Sequence, residues 1–456
     1  MANTANHETW SSTTLFILSA VGSAVGLGNI WRFPYLAGEN GGGAFVLIYL
    51  LCVTFIALPI LIGEIMLGRM GRQSPINTMR NIAINNGKSA WWGIGGWLAV
   101  IIAFMVMTFY SVVAGWALDF GLKSAMGTFS GLGKDEIQPI FDGLLADPLR
   151  LIVWHTVFTA LTVYIVSRGL NDGIESAIKW LMPALFTLLI GMVIYSMVAA
   201  DFMAGLAFML KPDFSKVTTD SFMLASSQAF FSVTIGAGAM MIYGAYLPDN
   251  VSIPRTTAII VFADAGVAIF AGMAIFPIVF SFGLQPDGGP GLVFVTLPIA
   301  FGKMFGGSII GTAFFLLLAI AALTSLIATL EPIVAWAEEN RGIKRKTTTI
   351  IIGLTAWVLG FGSVLSFNYL ADFHPLGFLP LMEGKTIFDL SEYISITILL
   401  PISGLLIALF VGWNLPDAII EKELAFKSRV VYSVWRFFLR WLAPAVILVI
   451  LFFNVV

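Results

Sequence analysis

Apolar runs of about twenty residues, the length that crosses a bilayer core as a helix, recur from one end of the chain to the other. Short polar connections part them. Their spacing predicts eleven spans, at roughly 13–36, 43–68, 91–122, 149–167, 174–198, 222–247, 256–283, 307–337, 348–366, 387–412 and 431–454. Two of these are poor helices in the middle. Span 1 carries Gly22-Ser-Ala-Val-Gly26-Leu-Gly28-Asn29. Each glycine costs about 0.8–1 kcal/mol against alanine in a helix interior. Span 6 is interrupted by Gly236-Ala-Gly238. In hydrocarbon an unpaired backbone group costs several kcal/mol. A broken helix at that depth persists where an ion or a polar solute satisfies its free carbonyls and amides. The other reading of the glycines is close packing between helices. The interrupted spans stand first in two sets of five, spans 1–5 (13–198) and spans 6–10 (222–412), with span 11 (431–454) outside both. Five is odd, so the second set starts from the opposite side and any repeat is inverted. Matched Gly-broken segments in two halves point to a transporter site at the bilayer midplane. A channel can carry inverted repeats too, but Ser, Thr and Asn within the broken helices favour ion-coupled transport.

Three connections are more than tethers. Residues 123–148 make a polar outer loop. Residues 285–306 are too short and interrupted to span, yet too apolar to lie free in water, and are expected to dip back over the protein from outside. Residues 367–386 form a third outer loop. Lys and Arg set the orientation. With the N-terminus inside, the inner connections hold 16 of the 24 basic residues, among them Arg69, Arg72, Arg255, Arg345, Lys422 and Lys427. The expectation is a multi-pass protein of the cell membrane, N-terminus cytoplasmic and C-terminus extracellular.

Composition agrees. The chain has 456 residues, 58% hydrophobic and 11% charged, where a soluble domain has about 25% charged. This is an all-α polytopic membrane protein whose main partner is the lipid bilayer. A net charge of −2 gives no reason to expect nucleic acid. One cysteine, Cys52, excludes an intrachain disulfide. The start, MANTANHETW, lacks a basic n-region and a cleavage site, so no cleaved signal peptide is expected. No nucleophile–base pair, metal cluster or phosphate loop argues for an enzyme. His7, His155 and His374 fall on different sides of, or within, the membrane and cannot form one site.

Gly22–Phe45, GSAVGLGNIWRFPYLAGENGGGAF, closely resembles the signature of the neurotransmitter:sodium symporters, bacterial amino-acid branch. Gln228-Ala-Phe-Phe-Ser232, Thr296-Leu-Pro298 and Ala321-Ala-Leu-Thr-Ser325 continue it over nearly the whole chain. The resemblance implies an inverted repeat unwound in spans 1 and 6 that carries Na⁺ and an amino acid by alternating access. An amino-acid-gated channel or a sensor on the same fold is the rival. By similarity, a first Na⁺ site would use the Ala24 carbonyl, Asn29, Ser232 and position 264. A second would use the carbonyls of Gly22, Val25 and Ala321 and the hydroxyls of Thr324 and Ser325. Neutral oxygens suit a hard cation; the alternative for Thr324 and Ser325 is bonding back to their own helix. Position 264 departs from the family's Asn: it is Asp264, and a carboxylate inside a span is a functional candidate by default. Bacterial members often carry an acid one turn later, where this chain has Ala268. Asp264 is therefore expected to supply the negative charge that chloride supplies in animal members, with Tyr49, Gln228 and Ser232 around it, so that chloride is not required. Glu64 on span 2 is expected near the unwound part of span 6.

The resemblance further places an amino-acid carboxylate at the amides of Leu27 and Gly28 and the hydroxyl of Tyr110; an interfacial tyrosine is the plain alternative. Val106, Phe231, Thr234, Ala237, Ser325 and Thr329 would surround the side chain. Gly26 stands where monoamine carriers have Asp, and Ala237 and Thr329 stand where the leucine transporter is bulkier. Together these favour a larger hydrophobic or aromatic amino acid. Arg32 would pair across the outer vestibule with Glu392 or Asp389, above Phe231 as lid. At the inner gate Trp10 would stand with His7, in place of the family's Arg, opposite Glu339; a solvated terminal histidine is the alternative. The Gly173-nine-residues-Pro183 spacing on span 5 resembles that of members in which this segment opens a solvent path to the second Na⁺ site. A simple proline kink is its alternative.

Overall fold

The computed structural model describes residues 8–285, 289 and 291–455, without the side chains of 454 and 455. Among the described residues nine helices are long and apolar enough to cross a membrane: Gly43–Gly71, Ala90–Ala125, Pro148–Val166, Leu170–Ala199, Ile253–Ser281, Gly307–Arg341, Arg345–Leu365, Ile387–Asn414 and Arg429–Phe453. They are spans 2–5 and 7–11. Span 1 is Thr13–Ala24 followed by Gly28–Glu39, bent by 54° at the break. Span 6 is Thr219–Ser232 and Ala239–Ala245, each half too short to cross alone. All eleven expected spans are present, with ends shifted by a few residues. Span 3, Ala90–Ala125, is 36 residues. At 1.5 Å per residue it is about 54 Å long, well beyond a bilayer core of about 30 Å. It therefore tilts or projects from the membrane, which is why its hydropathy alone underestimates it.

Local chemistry fixes the breaks. Ser12 caps span 1, its Oγ accepting from Leu15 N–H at 3.1 Å. The helix stops where Val25 turns extended (φ −70°, ψ 106°). In span 6 the first half ends at Ser232, and Thr234, Gly236 and Gly238 all adopt positive φ. Glycine takes that conformation at little cost; Thr234 takes it against its side chain's preference.

Spans 3 and 8 pack against each other along their length, and span 1 lies on span 8. Spans 4, 5, 9 and 11 keep large apolar side chains outward, among them Tyr164, Ile194, Val358 and Phe452. The loop expected to dip back does so. Its helices Leu292–Thr296 and Leu297–Lys303 bury Leu292, Val293, Phe294 and Leu297. Phe294 stacks on Phe141 of the outer helix Lys134–Leu145 and meets the edge of Trp116 on span 3. Short helices outside the expected spans include Pro75–Asn85, Lys134–Leu145, Phe202–Leu210 and Asp417–Leu424.

Candidate functional site

The two breaks face each other. Beyond Val25 the opened backbone is met by side chains of span 1 itself and of spans 3 and 6. Leu27 N–H donates to the Tyr110 hydroxyl at 2.8 Å. Gly26 N–H donates to Asn29 Oδ1 at 3.2 Å. Gln228 Nε2 donates to the Gly28 carbonyl at 2.8 Å. The span 1 glycines also serve the packing reading. A Cβ on Gly22 would meet Met182 Sδ at 2.8 Å, and one on Gly28 would meet the Phe231 ring at 2.8 Å. A Cβ on Gly26 would stand 2.5 Å from the Tyr110 hydroxyl and 2.7 Å from Ser325 Oγ.

Asp264 is fully buried on span 7. Asn29 Nδ2 donates to its Oδ1 at 2.8 Å and to its carbonyl at 3.1 Å. Ser232 Oγ donates to its other carboxylate oxygen. Ser232 Oγ in turn stands 2.9 Å from Asn29 Nδ2 and 3.1 Å from the Tyr49 hydroxyl. Among the described residues no Lys or Arg pairs with this carboxylate, so its partners are neutral. Gln228 is elsewhere occupied: its Oε1 accepts from Arg32 at 3.1 Å. Ala24 is buried at the wall of the cavity between the breaks.

On span 8, Ser325 Oγ lies within hydrogen-bond distance of three carbonyls: Ser23 at 3.2 Å, Val25 at 3.3 Å and Ala321 at 3.1 Å. One hydroxyl proton serves one of them, so acceptor oxygens outnumber donors here. Thr324 bonds back to Ile320 and Ala321, as the alternative reading expected. Gly22 lies against the Thr324 side chain. Glu64 accepts from Gly236 N–H at 2.9 Å and Ser403 donates to the Gly236 carbonyl at 2.7 Å, so the opened backbone of span 6 is held from spans 2 and 10.

Between the breaks is a cavity of about 40 Å³, near the share of liquid volume of one water, about 30 Å³. Ala24, Gly28, Val106, Tyr110, Phe231, Thr234, Ala237, Ser325 and Thr329 line it, all anticipated from the sequence. Leu27 and Ser232 stand outside the lining. Ser23, Ile102, Ile396 and Leu400 line it unanticipated. Ser23 Oγ is buried without a partner among the described residues. The one signal that could have found it is its place inside the glycine break.

Several expected gate residues stand differently. Asp389 caps its own helix, accepting from Thr386 N–H at 2.9 Å and Thr386 Oγ1 at 2.7 Å. Asp389 is thus engaged in a capping box, and Glu392, three residues on, is exposed. The Arg32 guanidinium sits 5.4 Å from the Phe231 ring centroid. Among the described residues Glu339 accepts from Ser74 N–H, Ser74 Oγ and Asn77 at 2.6–2.7 Å, holding the start of helix Pro75–Asn85. The charged lock nearby is Arg345 on span 9, paired with the buried Glu331 and with Glu338. Tyr246 donates to Glu331 at 2.7 Å. Trp10 is buried, donating from Nε1 to the Tyr243 carbonyl at 2.9 Å. His7 lies outside the described residues.

Span 5 differs as well. Gly169 (φ 91°), not Gly173, turns the chain into the helix. Gly173 is instead a close contact: a Cβ there would stand 2.1 Å from the Ile165 carbonyl. The helix runs unbroken through Pro183. Glu175 is buried, its two oxygens accepting from Ser11 N–H and Ser11 Oγ at 2.7 Å each. Ile178 and Met182, between Gly173 and Pro183, press on Gly22.

The model of the sodium:neurotransmitter symporter family matches residues 7–130 and 147–456. The sodium-dependent transporter YhdH of Bacillus subtilis (strain 168) is 37% identical over 98% of this chain and 97% of its own. A sodium-dependent transporter of Haemophilus influenzae is 33% identical over 99% of both. The crystal structure of MhsT in complex with L-phenylalanine superposes with a TM-score of 0.89 at 38% identity, covering 98% of this chain and 100% of that one. Broken spans 1 and 6 around a small cavity, and a sequence that runs alongside these proteins almost end to end, lead to one assignment: the chain belongs to the sodium:neurotransmitter symporter family.

Proposed function

We propose that this protein couples Na⁺ entry to the uptake of a hydrophobic or aromatic amino acid by alternating access. The observation that carries the reading is Asp264: a fully buried carboxylate whose partners among the described residues are neutral, beside the unwound backbone of span 1. Burying an unpaired carboxylate costs several kcal/mol, and a cation offsets that cost. The first Na⁺ is assigned to Asp264, Asn29, Ser232 and the Ala24 carbonyl. The second is assigned to the carbonyls of Gly22, Val25 and Ala321 with Thr324 and Ser325, where acceptors crowd one hydroxyl. With its own carboxylate at the first site, the protein is expected to work without chloride.

The substrate carboxylate is assigned to the Leu27 and Gly28 amides and Tyr110. Its side chain would meet Ile102, Val106, Ile396 and Leu400, an apolar wall, with the small Ala237 leaving room. MhsT, crystallised with L-phenylalanine, supports an aromatic or similarly sized side chain. One pocket residue is worth about 1–3 kcal/mol of selectivity, so size, not chemistry at one position, sets the preference. Entry and release are assigned to a parting of the spans on either side of this cavity. Arg32, Phe231 and Glu392 are assigned to the outer closure, and Trp10 with Arg345 and Glu331 to the inner one.

The test is a thermal-shift screen of the twenty amino acids with and without Na⁺, followed by uptake in proteoliposomes under an inward Na⁺ gradient. The expected result is stabilisation by a hydrophobic or aromatic subset in Na⁺ alone, and accumulation above the outside concentration. A channel cannot concentrate its solute, and a sensor binds without accumulating it. Either outcome would replace this reading.

A further inference from the structure

A second and much larger cavity, about 1220 Å³, lies away from the transport site. Its walls come from span 2, the start of span 7, the connection after helix Asp417–Leu424, and span 11. One half is apolar and faces outward: Phe55 and Val434 are 38% and 49% exposed on spans that cross the membrane. The other half is charged and sits at the span ends. Its two acids are already taken. Glu423 is paired with the buried Arg69 at 2.6 Å, and Asp249 is paired with Arg72. Arg69 also donates to the Val251 carbonyl at 2.6 Å, tying span 2 to the lead-in of span 7. The rim is therefore a fixed structure with its negative charge neutralised. Three cations in the lining remain, Arg255, Lys422 and Lys427, all exposed and, among the described residues, in no ion pair.

We propose that this cleft binds an anionic phospholipid, its phosphate between Arg255, Lys422 and Lys427 and its acyl chains along Phe55, Leu58 and Val434. A soluble protein cannot reach an apolar wall that lies within the membrane. A free phosphate would leave that wall bare. A lipid presents a charged head and apolar tails at this depth, and basic pockets between spans bind anionic headgroups for this reason. The cations stand at the end of the molecule that the Lys and Arg distribution places in the cytoplasm, where an inner-leaflet lipid would reach them. The inference is independent of the substrate assignment.

The full-length protein in a neutral detergent is titrated with dioleoyl phosphatidylglycerol, dioleoyl phosphatidylcholine or sodium phosphate. Native mass spectrometry and melting temperature are the readouts. Phosphatidylglycerol is expected to bind at least about fivefold tighter than phosphatidylcholine and to raise Tm, with phosphate inert. Combined Arg255→Gln, Lys422→Gln and Lys427→Gln is expected to bring the two lipids level. The three side chains are exposed, so the lipid-free Tm and its Na⁺-dependent rise should be unchanged. If the triple variant melts lower, Lys422→Gln and Lys427→Gln are measured singly, each expected to cut the preference in part. Equal binding of the two lipids by the wild type, a preference that survives the substitutions, or a Tm rise from phosphate alone would overturn the proposal.

Discussion

The proposed Na⁺ coupling turns on a single carboxylate, Asp264. Its oxygens are met by Asn29 and Ser232, and among the described residues no Lys or Arg pairs with it. Asp264→Asn keeps the shape and removes the charge. Removing one member of a buried charge pair costs about 3–5 kcal/mol, and each 1.4 kcal/mol is tenfold in affinity. Na⁺ dependence of uptake should therefore weaken by at least about tenfold, and added chloride should partly restore it. Wild-type uptake should be the same in gluconate as in chloride; a strong loss in gluconate would remove Asp264 from this role. The residue was legible in the sequence because a carboxylate in an apolar run is conspicuous. Asp389 and Glu339 were equally visible, but the bonds the structure gives them were not. A carboxylate's partner is a matter of which donor lies nearby in space: Thr386 for one, Ser74 and Asn77 for the other. Ser23 was passed over because a serine between Gly22 and Ala24 reads as a small packing residue, and its unmet hydroxyl appears once span 1 is seen to open there.

Among elements, the breaks were readable and the attachments were not. Glycine clusters cost helix whatever surrounds them, so the openings in spans 1 and 6 follow from local sequence. Helix Phe202–Leu210 does not. Its apolar residues suit a loop packed on protein as well as a helix, and its place is set by contact with span 7, where a Cβ on Gly205 would meet Pro277 at 2.5 Å. Span 5 combines both cases. Pro183 crowds the carbonyl one turn earlier, which the sequence states. That the segment before it holds the N-terminal residues, through Glu175 to Ser11 and through Leu170 N–H to Glu8 at 2.9 Å, it does not state. Unwinding span 5 would withdraw Ile178 and Met182 from Gly22 and loosen Ser11 together. Glu175→Gln loses charge-assisted bonds worth about 1.5–3 kcal/mol each to a charged acceptor. Amide exchange at 8–12 and 170–178 should rise about tenfold while the outer turns stay unchanged. Pro183→Ala should act oppositely, slowing turnover with amino-acid affinity kept within about twofold. Equal loss of binding and turnover would argue for a plain kink.

Over the whole molecule the two ends are closed by different means. At the end expected to face outward, Arg32 reaches Gln228 and lies over Phe231, a hydrogen bond and a ring contact. At the inner end Arg345 joins span 9 to Glu331 and Glu338 on span 8, Tyr246 after span 6 donates to the same Glu331, and Trp10 before span 1 bonds the carbonyl of Tyr243. Span 9 and the end of span 6 meet span 8 at the fully buried Glu331, and Trp10 ties the N-terminal segment to that same end of span 6; in the proposed mechanism these elements part for release inward. Breaking a buried pair from one side costs about 3–5 kcal/mol because the remaining charge stays uncompensated. Opening the inner end to water would relieve Glu331 of that penalty, so Arg345→Ala should favour the inward-open form by about a hundredfold or more. A ligand that needs the closed form then binds more weakly in proportion to the fraction still closed. The expected results are faster amide exchange at 8–12, 170–178 and 239–246, weaker amino-acid binding in Na⁺, and uptake reduced to a small remainder. Arg345→Lys keeps the charge but not the two-armed reach to both acids and should fall between the two. If exchange rises as much at the outer turn 367–386 as at the inner segments, the substitution has loosened the fold as a whole. Arg345 would then be a stabilising residue rather than the inner lock.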